Sequence, residues 1–281
     1  MTIGTGNFAE LIWPGLAAVT GHMVKDYPTL YNKIFEVRKA TKRFEKIQEV
    51  TGLGLAGVKD EGDAMPFEDP MQGFQRESVM VTYALATSIT REMVEDEMYQ
   101  YIRSIPRFLA RSIRQSEETT AHAILNNHLE TTSGNLGWDG ISLINASHLN
   151  PDGSTYSNRL ATDADLSQTS IETMLTQIMD ATDNKSLVQR LMPKCLVVNT
   201  ANNWRARRIL ESSYTTGSAD NDINPIPGLF QDLVVTPYTT DTDAWWIVTD
   251  CPDGLIFFRR RATEVTRDNE FSTQNLQIGI T

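Results

Sequence analysis

Gly52-Leu53-Gly54-Leu55-Ala56-Gly57 fits the G-x-G-x-x-G spacing of a dinucleotide-binding turn. In such a turn a buried apolar strand runs into a helix, and the first backbone N–H groups of that helix hold a pyrophosphate. The context here is different. The preceding segment, RFEKIQEVT (43–51), is charged. The following one, VKDEGDAMPFEDPMQGF, places Asp60, Glu61 and Asp63 close together, contains two prolines and has no helical period. Acids at that position repel phosphate. The glycines Gly52, Gly54, Gly57, Gly62 and Gly73 therefore read as a flexible loop tip, and no cofactor is expected.

Other residues capable of chemistry are scattered. His122 and His128 lie six apart on one helical run and so face different sides; His22 and His148 are distant in sequence. No metal cluster is expected from this spacing, because zinc ligands usually come in close pairs. Cys195 lies in an apolar strand and reads as a small core residue. Cys251 stands in a turn with no second cysteine or histidine nearby. Two cysteines in 281 residues make no disulfide framework. Asp139, in GWDG, reads as a turn former. Arg259, Arg260 and Arg261 read as paired surface charges, with a nucleic-acid or neighbour contact as the alternative. No G-x-S-x-G, P-loop or H-E-x-x-H motif occurs, so no catalytic residue is assigned and no enzyme is expected.

Composition narrows the classes further. The chain is 40% hydrophobic and 22% charged, with a formal net charge of −11. That suits a globular protein and argues against a general nucleic-acid binder, which carries a basic surplus. The N-terminal run LIWPGLAAV is short and interrupted by Pro14, so neither a signal peptide nor a membrane span is expected.

The elements that must position these residues follow in a distinctive order. Residues 1–42 read as an arm, with five basic residues against three acidic ones. Residues 43–51 alternate like a strand, and RESVMVTYALATSIT (76–90) reads as a second one. Together they make a long hairpin with four basic and eight acidic residues across 43–77. A two-stranded ribbon is marginal alone in water, so it should lean on something outside its own domain. Residues 90–130 read as a helix capped by Thr90, about 60 Å long if continuous. Pro106 should kink or split it. After a loop-rich stretch, Thr169-Ser-Ile-Glu172 suggests a capping box opening a helix. KCLVVNT reads as a buried strand and ANNWRARRILES as a helix capped by Thr200. LVVTPYT, WWIVTD, LIFFRRRA and LQIGIT read as further strands.

GLGLAGVKDEGDAMPFEDPMQGFQ, then VTYALATSITREMVEDEMYQYI, RFLARSIRQSEETTAHAILNN and DGISLINASHLNPDGSTYSN carry a resemblance. In this order the chain resembles the major capsid proteins of tailed bacteriophages, an α+β fold of the HK97 type, and within them the Mu-like head subunit branch. The resemblance runs from about residue 30 onward. It implies an N-terminal arm (1–42), an E-loop hairpin (43–88), a P domain with a long spine helix (89–165 and 255–281) and an A domain (166–254), with the polar loop 212–228 as a candidate axial loop. The implied function is an icosahedral head built from hexamers and pentamers of this chain, in the virion, assembled in the host cytoplasm. It would enclose double-stranded DNA without sequence-specific binding, with scaffold, portal or decoration proteins as further partners.

The resemblance also implies contact residues. The E-loop would cross a neighbouring subunit. Arg43, Lys46, Lys59, Asp60, Glu61, Glu68, Asp69 and Arg76 would offer charge, and Met65, Phe67, Met71 and Phe74 apolar anchors. The five glycines named above would act as hinges between hexamer and pentamer geometries. Two departures stand out. The family's closing strand usually runs past a position like LQIGIT, whereas this chain ends at Thr281. Some relatives also seal the shell with a Lys–Asn bond, for which no pair is identifiable here. The alternatives are an encapsulin-type protein compartment, a soluble nucleotide-binding enzyme using Gly52–Gly57, and another virion part such as a tail tube.

Overall fold

The computed structural model describes residues 27–96, 99–132, 134, 136–215, 222–270, 272–273 and 275–281. Residues 1–26 of the expected arm and 216–221 of the polar loop lie outside the described residues.

Helix α1 (Tyr31–Ile34) leads into β1 (Glu36–Lys39), and the hairpin strands β2 (Phe44–Val50) and β3 (Gln72–Val79) follow. Next come β4 (Leu85–Ile89), α2 (Arg91–Glu95) and the long α3 (Tyr99–Asn126). A small ribbon, β5 (His148–Leu149) and β6 (Thr155–Tyr156), precedes α4 (Gln168–Met179). Then come β7 (Pro193–Asn199), a 3-10 turn (Thr200–Asn202), α5 (Asn203–Glu211), β8 (Asp232–Thr236) and β9 (Trp245–Thr249). Strands β10 (Ile256–Arg259), β11 (Val265–Asn269) and β12 (Leu276–Ile280) complete the chain.

Three apolar clusters hold these elements together. At one end Ile102, Ile105, Leu109 and Ile113 of α3 meet Ile89 of β4 and Ile278 and Ile280 of β12. The four α3 residues recur at helical spacing, so one face of the helix is spent on the sheet β11-β12-β4. In the middle, Ala121 and Leu125 of α3 meet Tyr31, Ile34 and Phe35, together with Cys195, Val197 and Trp246. At the far end α4 and α5 cover Leu196 and Val198. Strand β7 is thus buried on both faces, Cys195 and Val197 toward α3 and Leu196 and Val198 toward α4. That is why it reads as an unbroken apolar run. It is the centre of the sheet β8-β7-β9, parallel to β8 and antiparallel to β9.

Within the arm segment 1–42, residues 31–40 pack on the subunit: Tyr31, Ile34 and Phe35 are buried, and β1 pairs in parallel with β10. The structure corrects several other local expectations. The run 76–90 is two strands in different sheets, since β3 pairs with β2 whereas β4 pairs with β12. Thr90 does cap its helix, its Oγ1 accepting from Met93 N at 3.3 Å. However, that helix ends at Glu95, and α3 passes through Pro106 without being divided there. At about 1.5 Å per residue its 28 residues span roughly 42 Å. The capping box of α4 is Ser167 with Ser170, two residues earlier than expected, each hydroxyl accepting the other's backbone N–H. The helix after β7 is preceded by a 3-10 turn capped by Asn199, whose Oδ1 accepts from Ala201 N, rather than being capped by Thr200. Strand β11 was not legible: VTRDN is mostly exposed and carries no apolar alternation.

Candidate assembly interface

The hairpin begins as an ordered ribbon. Lys46 faces Glu77 across the strands at 3.3 Å and lies over the Phe44 ring. Glu49 Oε2 accepts from Phe74 N. The ladder closes at buried Thr51, whose N–H donates to Met71 O at 3.0 Å and whose Oγ1 accepts from Met71 N at 2.8 Å. Beyond this point the chain leaves regular structure. Gly54 N donates to Glu68 Oε2 at 2.7 Å, and Lys185 holds the other oxygen of Glu68. Lys185 and the Gly54 N–H keep the Glu68 carboxyl below the usual range.

This geometry removes the nucleotide reading. No helix follows Gly57 before β3, so there is no helix terminus to receive a pyrophosphate. A carboxylate already occupies the Gly54 N–H. Of the five glycines, only Gly62 needs its freedom, with φ of +87° in the turn where Asp63 N donates to Asp60 O. Gly73 is close-packed instead, since a Cβ there would lie 2.6 Å from the Glu49 carboxylate.

The expected contact residues are nearly all turned outward. Arg43, Lys46, Lys59, Asp60, Glu61, Met65, Phe67, Glu68, Asp69 and Met71 are exposed, while Phe74 and Arg76 are half-buried. Lys46 and Glu68 differ in kind, because Glu77 and Lys185 of the same chain already pair with them. The apolar groups are the more informative ones. Phe67 is 96% exposed and Met65 69%. Val58, at 98%, and Leu55, at 85%, belong with them and were missed, because they read as spacers between glycines.

The frame behind the hairpin contains two buried polar junctions. Glu118 of α3 is 2% exposed and its Oε1 accepts from Leu30 N at 2.6 Å, seating the start of α1 on the spine. His122, one turn on, is fully buried; its Nδ1 lies 2.8 Å from Glu118 O and its ring packs on Tyr238. Burial pushes the His122 pKa down. The second junction is Asp139. Its Oδ2 meets His148 Nδ1 at 2.7 Å and accepts from Leu149 N, and its Oδ1 accepts from Ile141 N. Burial raises the Asp139 pKa, but these hydrogen bonds outweigh it and leave the carboxyl low. The turn-forming role expected of Asp139 is thus joined to a ring contact, since His148 stacks on Tyr156. Burial lifts the Cys195 thiol to about 11, so the cysteine is an inert core residue. Arg259 and Arg261 pair with Glu117 and Glu264.

The chain matches the model of the phage capsid protein family over residues 75–280. The chain belongs to that family. Solved capsids share its fold. The decorated capsid of bacteriophage JBD30 aligns with a TM-score of 0.58 at 12% identity, covering 76% of this chain and 91% of that one. The JBD30 procapsid aligns at 0.55 and 14% identity, covering 81% and 99%. The virus-like particle from Pyrococcus furiosus aligns at 0.53 and 13%, covering 95% and 90%. None of the curated proteins compared with the chain matches it in sequence. The capsid protein therefore has the HK97-like α+β fold and is a structural subunit, the major one, of an icosahedral shell.

Proposed function

We propose that the capsid protein self-assembles as hexamers and pentamers into the head of a tailed phage of the Mu-like branch, around double-stranded DNA. The hairpin acts as the E-loop (43–88) and lies across a neighbouring subunit. Residues 89–165 with 255–281 serve as the P domain, 166–254 as the A domain and 1–42 as the arm. Assembly takes place in the host cytoplasm, with scaffold, portal or decoration proteins as further partners.

One observation carries this reading. Val58 and Phe67 are almost wholly exposed in the segment that joins β2 to β3, and Leu55 and Met65 of the same segment are exposed too. Large apolar groups left bare along one segment mark a surface covered by another chain. Each would contribute about 1.5–3 kcal/mol once buried on a neighbour, so a shell can be held by many modest contacts. Met71 and Phe74 extend the patch toward the ribbon. Arg43, Lys46, Lys59, Arg76 and the tip acids Asp60, Glu61 and Asp69 set register and partner choice more than affinity. The glycines adapt the ribbon to five- and sixfold settings.

The test is negative-stain electron microscopy beside the elution volume. The full-length protein should give closed shells or rings of five and six. Deleting residues 52–74 should abolish or deform them while leaving the subunit folded by circular dichroism. Normal shells from the deletion variant would refute the role given to the hairpin.

A further inference from the structure

The spine helix carries an uncompensated basic line. Residues 99–116 hold four arginines and no acid, in a chain with 36 acidic and 25 basic residues. Arg114 turns to Glu117. Arg103, Arg107 and Arg111 are exposed, and among the described residues none has an ion-pair partner. Elsewhere arginines are commonly paired, as Arg38, Arg159, Arg207 and Arg259 are. In so acidic a chain, three guanidinium groups in succession with no partner among the described residues call for anions from outside.

Their placement describes the anion. They follow at intervals of four, so each step is about 6 Å along the axis with a turn of roughly 40°. The result is a gently winding line about 12 Å long. Ile102, Ile105, Leu109 and Ile113, on the opposite side of α3, are buried against β4 and β12, so the line stands on a fixed helix. Gln100, Ser104 and Gln115 lie beside the arginines, with the exposed rings of Tyr101 and Phe108 at one edge. An evenly spaced row of guanidinium forks suits an evenly repeated polyanion.

We infer that Arg103, Arg107 and Arg111 bind the phosphate backbone of the nucleic acid held inside the shell. This rests on the proposed reading that the shell encloses double-stranded DNA. The acidic tip of a second copy's hairpin fits less well. Asp60, Glu61 and Asp63 crowd around one turn rather than along a line, and the same segment also exposes the apolar Val58 and Phe67. Contacts to phosphate carry no sequence information, and three of them make a weak, salt-sensitive hold. Such a hold orders DNA near the wall without trapping it, consistent with an otherwise acidic protein.

The experiment uses the full chain and a fluorescent linear duplex of mixed sequence, read by anisotropy from 50 to 200 mM NaCl. For three phosphate contacts the wild-type affinity should fall about 40-fold over that range. The variant Arg103→Gln/Arg107→Gln/Arg111→Gln should lose most of this dependence and bind at least about tenfold more weakly at 50 mM, while the triple Lys variant retains it. A control, Arg190→Gln/Arg260→Gln/Arg267→Gln, removes the same charge from other exposed positions and should leave binding intact. Equal losses in both Gln variants, or no loss in either, overturn the inference. A folded Arg103/Arg107/Arg111 variant that binds DNA normally but forms no shells also overturns it, assigning the line to a subunit contact. Electron microscopy of the wild type separates the two readings. Absent shells count against the proposed assembly, and the anisotropy still decides the arginine line.

Discussion

His122 is the buried titratable group with the plainest consequence. It sits wholly inside the protein between Glu118 and Tyr238, where burial disfavours its charged form. Its folded pKa lies below 6.5, so below that pH the unfolded chain binds a proton that the folded one refuses. Stability then rises with pH through this window and falls on acidification, until the folded ring itself takes a proton. The melting temperature should therefore drop more steeply between pH 7 and 5 in the wild type than in His122→Gln. Parallel curves would show that His122 is not the group responsible. Glu118 matters for a different reason: it fastens the start of α1 to the spine, a tie between residues 88 positions apart. In the sequence it is one acid among many on a long helix.

At the scale of elements, the hairpin divides its glycines by need. Gly62 has φ of +87° with open space around it, so an added Cβ meets backbone strain and nothing else. Gly57 has no neighbour within 4 Å of a Cβ and no positive φ. Gly62→Ala should cost the turn about 1–2 kcal/mol, visible as faster amide exchange at Asp63. Gly57→Ala should leave exchange unchanged. Equal effects would mean that the turn at residues 60–63 is not held as described. The spine makes a related point. Pro106 does not end α3, because the packing of Ile102, Ile105, Leu109 and Ile113 on the β4–β12 sheet offsets the lost backbone hydrogen bond.

At the scale of the molecule, the capsid protein leaves apolar surface outside and polar junctions inside. The exposed side chains of the hairpin contribute little to the stability of a lone subunit, because they touch little of it. Val58→Ser/Phe67→Ser should thus leave the subunit's melting temperature within about 1 °C, since surface changes are usually worth less than 0.5 kcal/mol. Shell yield, read by sedimentation, should fall several-fold. A lowered melting temperature with normal shells would reverse the assignment and make these residues part of the subunit core.

Much of this architecture was legible in the chain itself. The charged, glycine-rich ribbon, the helical period after Thr90 and the unbroken apolar KCLVVNT each have a local physical cause: charge, a period of 3.6, and burial on both faces. Of the proposed contact surface, Met65, Phe67 and the tip acids were legible. Val58 and Leu55 were not, because an apolar residue in a loop looks the same in sequence whether it is covered or bare. Three things were left to the tertiary structure. Residues 31–40 belong to the core because β10, more than 200 positions away, pairs with β1. Asp139 meets His148, and Glu118 meets Leu30, because packing brings those segments together. Arg103, Arg107 and Arg111 form a line without ion-pair partners among the described residues, because packing brings no described acid against that face of α3. Local pattern determines which elements form; only their packing decides which charges and apolar faces remain without a partner.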